Sequence, residues 1–413
     1  MTKQVSFFLN RIRSKETKAV YYLLTFLIDF PISLIFVTYS LFLLSKGLDL
    51  FQISLVNAVF MLAIFLLEIP TGAFADNFGR RKSVIIGNLL FALSFLLYFK
   101  SNTMPFFIIA EIIMAIGTTF VSGALDAWMV DDLQSKKYTG KVDFVFSQAT
   151  IVSRISILLG GLISAYLGKI SLALPFLIAG ILYFIAFFLS IYLLEEDRRK
   201  IEIPDFFGGF RQIADVAKVS VNYGIRHSVI LWLTAATVVW YFATTSLNMY
   251  WTPRLNELTG NQVGVLGWMW FGMSSILLLS SILVQKLIKK NVSYLKIFIF
   301  VSLAMSLPML YIAYSNVAIV VIIGILVHEI GRGMPDVLHK AYLNKYISSE
   351  KRATILSFNS MMGTLGSALG LLLLGLVARK YSIQASWLIS GLLFLSLIFF
   401  YKKMLQSEEK YEI

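Results

Sequence analysis

At 413 residues, with 58% hydrophobic and only 14% charged side chains, the chain has too little polar surface for a soluble globule and reads as a polytopic membrane protein. It contains no cysteine, which excludes disulfides, thiolate metal sites and cysteine nucleophiles, and its three histidines fall in no clustered metal-ligand pattern. The net charge of +13 lies in short blocks between apolar runs rather than in one stripe, a distribution that marks membrane topology and not nucleic-acid binding.

Residues 1–18 carry Lys3, Arg11, Arg13, Lys15 and Lys18 without a small-residue cleavage site, so no removable signal peptide is expected. Val5 to Ile12 is expected as a short amphipathic helix on the inner surface. Beyond it, apolar runs long enough to cross a bilayer core of roughly 30 Å, about 20 helical residues each, predict twelve spans: 19–43, 51–75, 83–99, 104–130, 144–167, 170–194, 228–252, 262–285, 295–314, 317–346, 353–378 and 383–401. Of the 36 Lys and Arg, all fall on one side of this map except Lys46, Lys100, Lys169, Arg254, Arg379 and Lys380 on the other and Arg154 and Arg332 inside spans. Both termini are therefore expected in the cytoplasm of a cell whose plasma membrane holds the chain.

The stretch from 195 to 226 is the longest polar interruption and divides the spans six and six. The organisation expected is a cytoplasmic segment 1–18, a six-helix bundle 19–194, a cytoplasmic linker 195–226, a second bundle 227–404 and a tail 405–413. The second half echoes the first at one constant offset: Gly123, Asp126, Lys141, Ser147 and Gly160 recur as Gly333, Asp336, Lys351, Ser357 and Gly370. Such a parallel repeat is one way membrane carriers are built.

Between the second and third spans lies a turn that packs one acid, three bases and two glycines into residues 72–82. Gly72 and Gly79 are expected to allow a tight turn and close backbone approach. Gly72, Asp76, Gly79, Arg80, Arg81 and Lys82 resemble the signature loop of the major facilitator superfamily, from which Asn77 departs by replacing a base. The resemblance implies an all-α fold of twelve transmembrane helices in two pseudo-symmetric six-helix bundles. It also implies that Asp76 accepts hydrogen bonds from the N-terminus of the span at 353–378, whose partial positive charge favours an anion, and so holds the halves closed on the inside. The plainer account is a solvated loop acid in a topology anchor. At the equivalent place in the second half, Lys286, Lys289 and Lys290 keep the bases, while the acid and both glycines are gone. The span at 144–167 carries Gly160-Gly161 but lacks the Gly-Pro element that drug antiporters of this superfamily often show, a departure that weakens an antiporter assignment.

An ionisable group inside a membrane costs about 2.5–3.5 kcal/mol on insertion scales, so each one asks for a reason. The embedded candidates are Asp29, Glu68, Glu111, Asp126, Arg154, Glu329, Arg332 and Asp336. Glu329 and Arg332 stand three apart on one helix and are either a self-neutralised pair or functional groups; Asp126 and Arg154 pose the same alternative across a helical hairpin. Asp29, just before Pro31, and Glu68, just before Pro70, have no base within a helical turn, which suits a reversible proton carrier. Asp29 is the first choice for protonation, with Asp126 and Glu68 behind it.

Aromatic residues cluster in the spans at 228–252 and 262–285, where Trp and Tyr are either interfacial belts or cavity walls. Trp240 and Tyr241 lie deepest, and as cavity walls they offer flat apolar and cation–π surfaces to an organic substrate. Asn248 and Asn359 offer hydrogen bonds either to that substrate or between helices. The function expected is secondary active transport by alternating access, with proton-coupled efflux of an amphipathic small organic molecule as the leading form. Metabolite uptake, facilitated diffusion, lipid translocation and a non-transporting receptor are the alternatives. The partners expected are that small molecule, protons and the lipid bilayer, with a monomeric carrier, no nucleic acid and no cofactor. No nucleophile–base set or phosphate-binding loop points to an enzyme.

Overall fold

The computed structural model describes residues 3–195, 227–347 and 352–408. The expected linker lies, after Glu195, outside the described residues, as does most of the tail. The described chain is helical throughout: α1 (Lys3–Ser33), α2 (Tyr39–Ser45), α3 (Leu50–Phe78), α4 (Arg80–Lys100), α5 (Met104–Val121), α6 (Ala124–Ser135), α7 (Val142–Ile170) and α8 (Leu174–Leu193) precede the linker. After it come α9 (Ser228–Leu258), α10 (Val263–Lys289), α11 (Tyr294–Ile312), α12 (Ala318–Arg332), α13 (Pro335–Tyr346), α14 (Arg352–Lys380) and α15 (Ile383–Glu408). The short helix expected at Val5 to Ile12 is not a separate element, because α1 runs unbroken from Lys3.

Among the described residues, eleven segments are long and apolar enough to cross a membrane, and they coincide with eleven of the predicted spans. The remaining one, at 19–43, is broken. Pro31 sits inside α1 and lacks an amide hydrogen. The Leu34 amide then reaches both the Phe30 and Pro31 carbonyls, and the Ser33 hydroxyl donates to Phe30 O at 2.7 Å. Residues 34–38 form turns before α2 begins. Two further spans break at equivalent places. The run at 104–130 divides into α5 and α6 at Ser122–Gly123, with Gly123 left-handed at φ 69°; the run at 317–346 divides into α12 and α13 at Gly333–Met334, ahead of Pro335. Each break starts a new helix whose first turn carries an acid, Asp126 or Asp336.

Contacts divide the chain into two units, Met1–Tyr39 with Leu66–Phe210, and Ser40–Phe65 with Arg211–Ile413. α2 and the first half of α3 join the second unit through specific bonds. Ser40 Oγ donates to Met249 O (2.8 Å), Ser54 Oγ and Tyr250 Oη lie 2.5 Å apart, and Arg379 pairs with Asp49 at 3.2 Å.

Within the first unit α1 packs on α7 and α8, and α4 on α5 and α8; within the second α9 packs on α14 and α15, and α11 on α12 and α15. These are the same four pairings at the repeat offset, so the internal echo in sequence is an echo in packing. Without a hydrophobic drive between helices in lipid, such contacts depend on small residues and close approach. A Cβ on Gly160 of α7 would stand 3.0 Å from Phe30 O of α1, and a Cβ on Gly370 of α14 would strike the Phe242 carbonyl of α9. In the first unit the fully buried Tyr183 donates to Ile28 O at 2.6 Å and stacks on Phe95; in the second, Tyr401 pairs with His339 Nε2 at 2.9 Å under Phe298.

Candidate functional site: a charged cavity in the first unit

The break between α5 and α6 places Asp126 beside α1 and α7. There a cavity of about 410 Å3 opens among Tyr21, Thr25 and Asp29 of α1, Gly123 and Asp126 at the break, and Phe146, Thr150, Ser153 and Arg154 of α7. Asp126 lies in the first turn of α6, where the unpaired amides of a helix start favour an anion. The buried Tyr21 supports it from α1, its Oη donating to Asp126 Oδ1 at 2.6 Å. Asp29 stands within hydrogen-bonding reach of Ser153, with the charges of Arg154 and Asp126 nearby. Three of the ionisable residues nominated from sequence therefore share one cavity.

Among the described residues no salt bridge joins Arg154 to either acid. The alternative of a closed Asp126–Arg154 pair is thus not what this arrangement contains. Two carboxyl groups and one guanidinium line a half-open space, which is a set that can exchange a proton and hold a cationic group without being locked by mutual pairing.

The other candidates lie elsewhere. Glu68 is half-buried on α3, and among the described residues no polar group stands against its carboxyl group. In the second unit Glu329 and Arg332 form the pair that their spacing predicts, with Arg332 NH2 2.6 Å and Nε 2.8 Å from Glu329 Oε2. Arg332 NH1 also donates to Asn248 Oδ1 of α9 at 3.2 Å, while the second Glu329 oxygen is buried without a partner. Trp240 is 6% exposed with its indole nitrogen unpartnered, and it meets Tyr241 edge-on at 4.6 Å. The Tyr241 ring covers Gly363 of α14, where a Cβ would come within 2.7 Å of it. Asn359 of α14 is half-buried with its carbonyl oxygen unpartnered.

In the loop motif, a single residue, Gly79, joins α3 to α4 at φ 101°, a backbone conformation that side chains resist. Gly72 instead lies inside α3 and, among the described residues, nothing stands close to where its Cβ would be, so the close approach expected of it is not seen among them. Arg80 pairs with Asp131 of α6 at 2.5 Å and donates to the Ala127 carbonyl; Arg81 donates to Ile191 O of α8 at 2.8 Å; Lys82 is exposed. The bases thus tie the start of α4 to α6 and α8. The side chains of Asp76, Asp336 and Ala353 lie outside the described residues, and with them the expected bond from Asp76 to the span at 353–378.

Sequence reasoning missed Tyr21, Ser153 and Asp131. Tyr21 stands about two helical turns before Asp29 on the same face, a spacing that points to it once Asp29 is chosen. Asp131 is an acid at the end of a span opposite a basic loop, which marks it as a partner for Arg80.

The profile of the Major Facilitator Superfamily matches residues 21–327 and 259–411. The chain is 25% identical over 369 residues to the uncharacterized MFS-type transporter YxaM of Bacillus subtilis (strain 168), covering 87% of this chain and 89% of that protein. It is 22% identical over 254 residues to the quinolone resistance protein NorA of Staphylococcus aureus (strain MRSA252), covering 60% of this chain and 63% of NorA. The fold is similar to that of the nucleoside transporter NupG, with a TM-score of 0.78 at 15% identity over 94% of this chain and 99% of NupG. A D-xylose-proton symporter superposes with a TM-score of 0.71 at 14% identity, over 94% of this chain and 98% of the symporter. The profile match over most of the chain, together with eleven described segments long and apolar enough to cross a membrane, makes the chain a multi-pass membrane protein that belongs to the Major Facilitator Superfamily of transporters.

Proposed function

We propose that the protein is a secondary active transporter that expels an amphipathic, positively charged organic molecule in exchange for protons. The observation that carries this reading is the placing of Asp29 and Asp126 in one cavity with a single base, Arg154. Two acids against one base leave an excess negative charge that favours a cationic ligand, and Phe146 and Tyr21 supply the apolar and aromatic surface such a ligand needs. Proton entry at either acid removes that attraction, which couples release of the cation to proton uptake. The similarity to NorA, named for quinolone resistance, supports the direction of transport.

Proteoliposomes holding the protein, loaded with a fluorescent amphipathic cation under an imposed pH gradient, test the reading. Wild type is expected to move the dye against its gradient, and Asp29→Asn combined with Asp126→Asn to lose at least about ten-fold of that gradient-driven rate, a loss of about 1.4 kcal/mol. Dye movement that ignores the pH gradient in wild type, or undiminished coupling in the double variant, would sink it. Accumulation in the opposite direction would move the assignment to uptake.

A further inference from the structure

Glu111 takes no part in the cavity. It lies in α5 and is 0% exposed. Its Oε1 accepts hydrogen bonds from Tyr39 Oη at 2.6 Å and Tyr98 Oη at 2.5 Å, while Oε2 is buried with no partner. The groups facing it are Tyr39, the first residue of α2, and Tyr98, near the end of α4; Phe107 of α5 and Phe176 of α8 stack on Tyr98 at 5.4 and 5.2 Å. Among the described residues no cation stands against this acid.

The two short phenol bonds to Oε1 suit either protonation state, but Oε2 has no donor, so protonation there, with Oε1 as carbonyl and Oε2 as hydroxyl, is the change this geometry can absorb. A carboxylate would leave half of its charge unpaired in a low dielectric, whereas an unpaired neutral hydroxyl is a far smaller penalty. Tyr39 also follows directly on the turn at 34–38, so Glu111 abuts the far side of the break whose near side carries Asp29.

We propose that Glu111 is a second proton-binding site of the first unit, separate from the cavity, held by Tyr39 and Tyr98 and uncovered when Tyr39 turns away. The use made of that proton rests on the proton-coupled reading above; the site itself does not.

Infrared difference spectra of the full-length protein in lipid nanodiscs, taken from acid to alkaline pH and in heavy water, read protonated carboxyl groups with no substrate present. Glu111→Gln keeps an acceptor for both phenols and cannot titrate. Wild type is expected to show a carboxylic-acid carbonyl band that shifts in heavy water and fades at alkaline pH. The band is expected to be lost in Glu111→Gln and retained in Asp29→Asn with Asp126→Asn. A spectrum unchanged by Glu111→Gln overturns the proposal, because the group is then ionised. A band that neither shifts in heavy water nor fades at any pH also overturns it, because the acid is then a permanent structural pin. Should Glu111→Gln not fold, Tyr39→Phe and Tyr98→Phe each remove one donor and are expected to raise the frequency of the same band; no movement in either rejects the assignment. A wild-type protein whose transport ignores a pH gradient would defeat coupled efflux and leave this band in place, so the two failures are distinguishable.

Discussion

Tyr21 and Asp126 lie on different helices, more than a hundred positions apart, and meet through one hydrogen bond of 2.6 Å. Asp29, Asp126 and Arg154 are legible in the sequence because a charge within an apolar run is costly and stands out. Tyr21 is not, since it is one of 19 tyrosines and its role depends on which acid the fold brings beside it. A hydrogen bond to a charged group contributes about 1.5–3 kcal/mol, so Tyr21→Phe is expected to slow gradient-driven transport about ten-fold. Its effect belongs to Asp126, and Tyr21→Phe added to Asp126→Asn is therefore expected to cost nothing more. Losses that simply multiply in the double variant would show that Tyr21 acts through another group. Glu329 and Arg332 make the opposite case: their spacing alone reveals the pair, while Asn248 as a third member follows only from how α9 meets α12.

At the scale of elements, the helix breaks and the close contacts decide where the side chains stand. Pro31, Gly123 and Pro335 signal interruption in the sequence, yet on at least one side of each break the apolar run is too short to cross a bilayer by itself, which is why each span reads as one helix. The repeated glycine contacts carry a difference in cost. At Gly370 an added methyl group would meet the backbone of Phe242, which has nowhere to go; at Gly160 its first obstacle is the Ser33 hydroxyl, which can rotate. Gly370→Ala is thus expected to destabilise by about 1–3 kcal/mol, read as a fall in the thermal midpoint in detergent, with Gly160→Ala falling less. Equal shifts, or none at Gly370, would mean that α14 and α9 can separate freely.

For the molecule as a whole, the bias of Lys and Arg leads us to propose that the basic loop and both termini face the cytoplasm. Because the chain has no cysteine, Lys82→Cys places one thiol at an exposed position of that loop. A membrane-impermeant maleimide is expected to label it in inverted vesicles and not in intact cells, and the reverse pattern would turn the topology over. By itself the sequence determined eleven of the spans, the internal repeat and the list of embedded charges, because hydropathy, charge bias and the cost of burying an ion are local properties of a segment. Only the tertiary structure decided that Asp29, Asp126 and Arg154 share a cavity, that Asn248 joins the Glu329–Arg332 pair, and that Glu111 is closed in by two tyrosines. Those facts depend on how helices cross and on which face each turns inward, and no single window of the chain contains the distance between two helices.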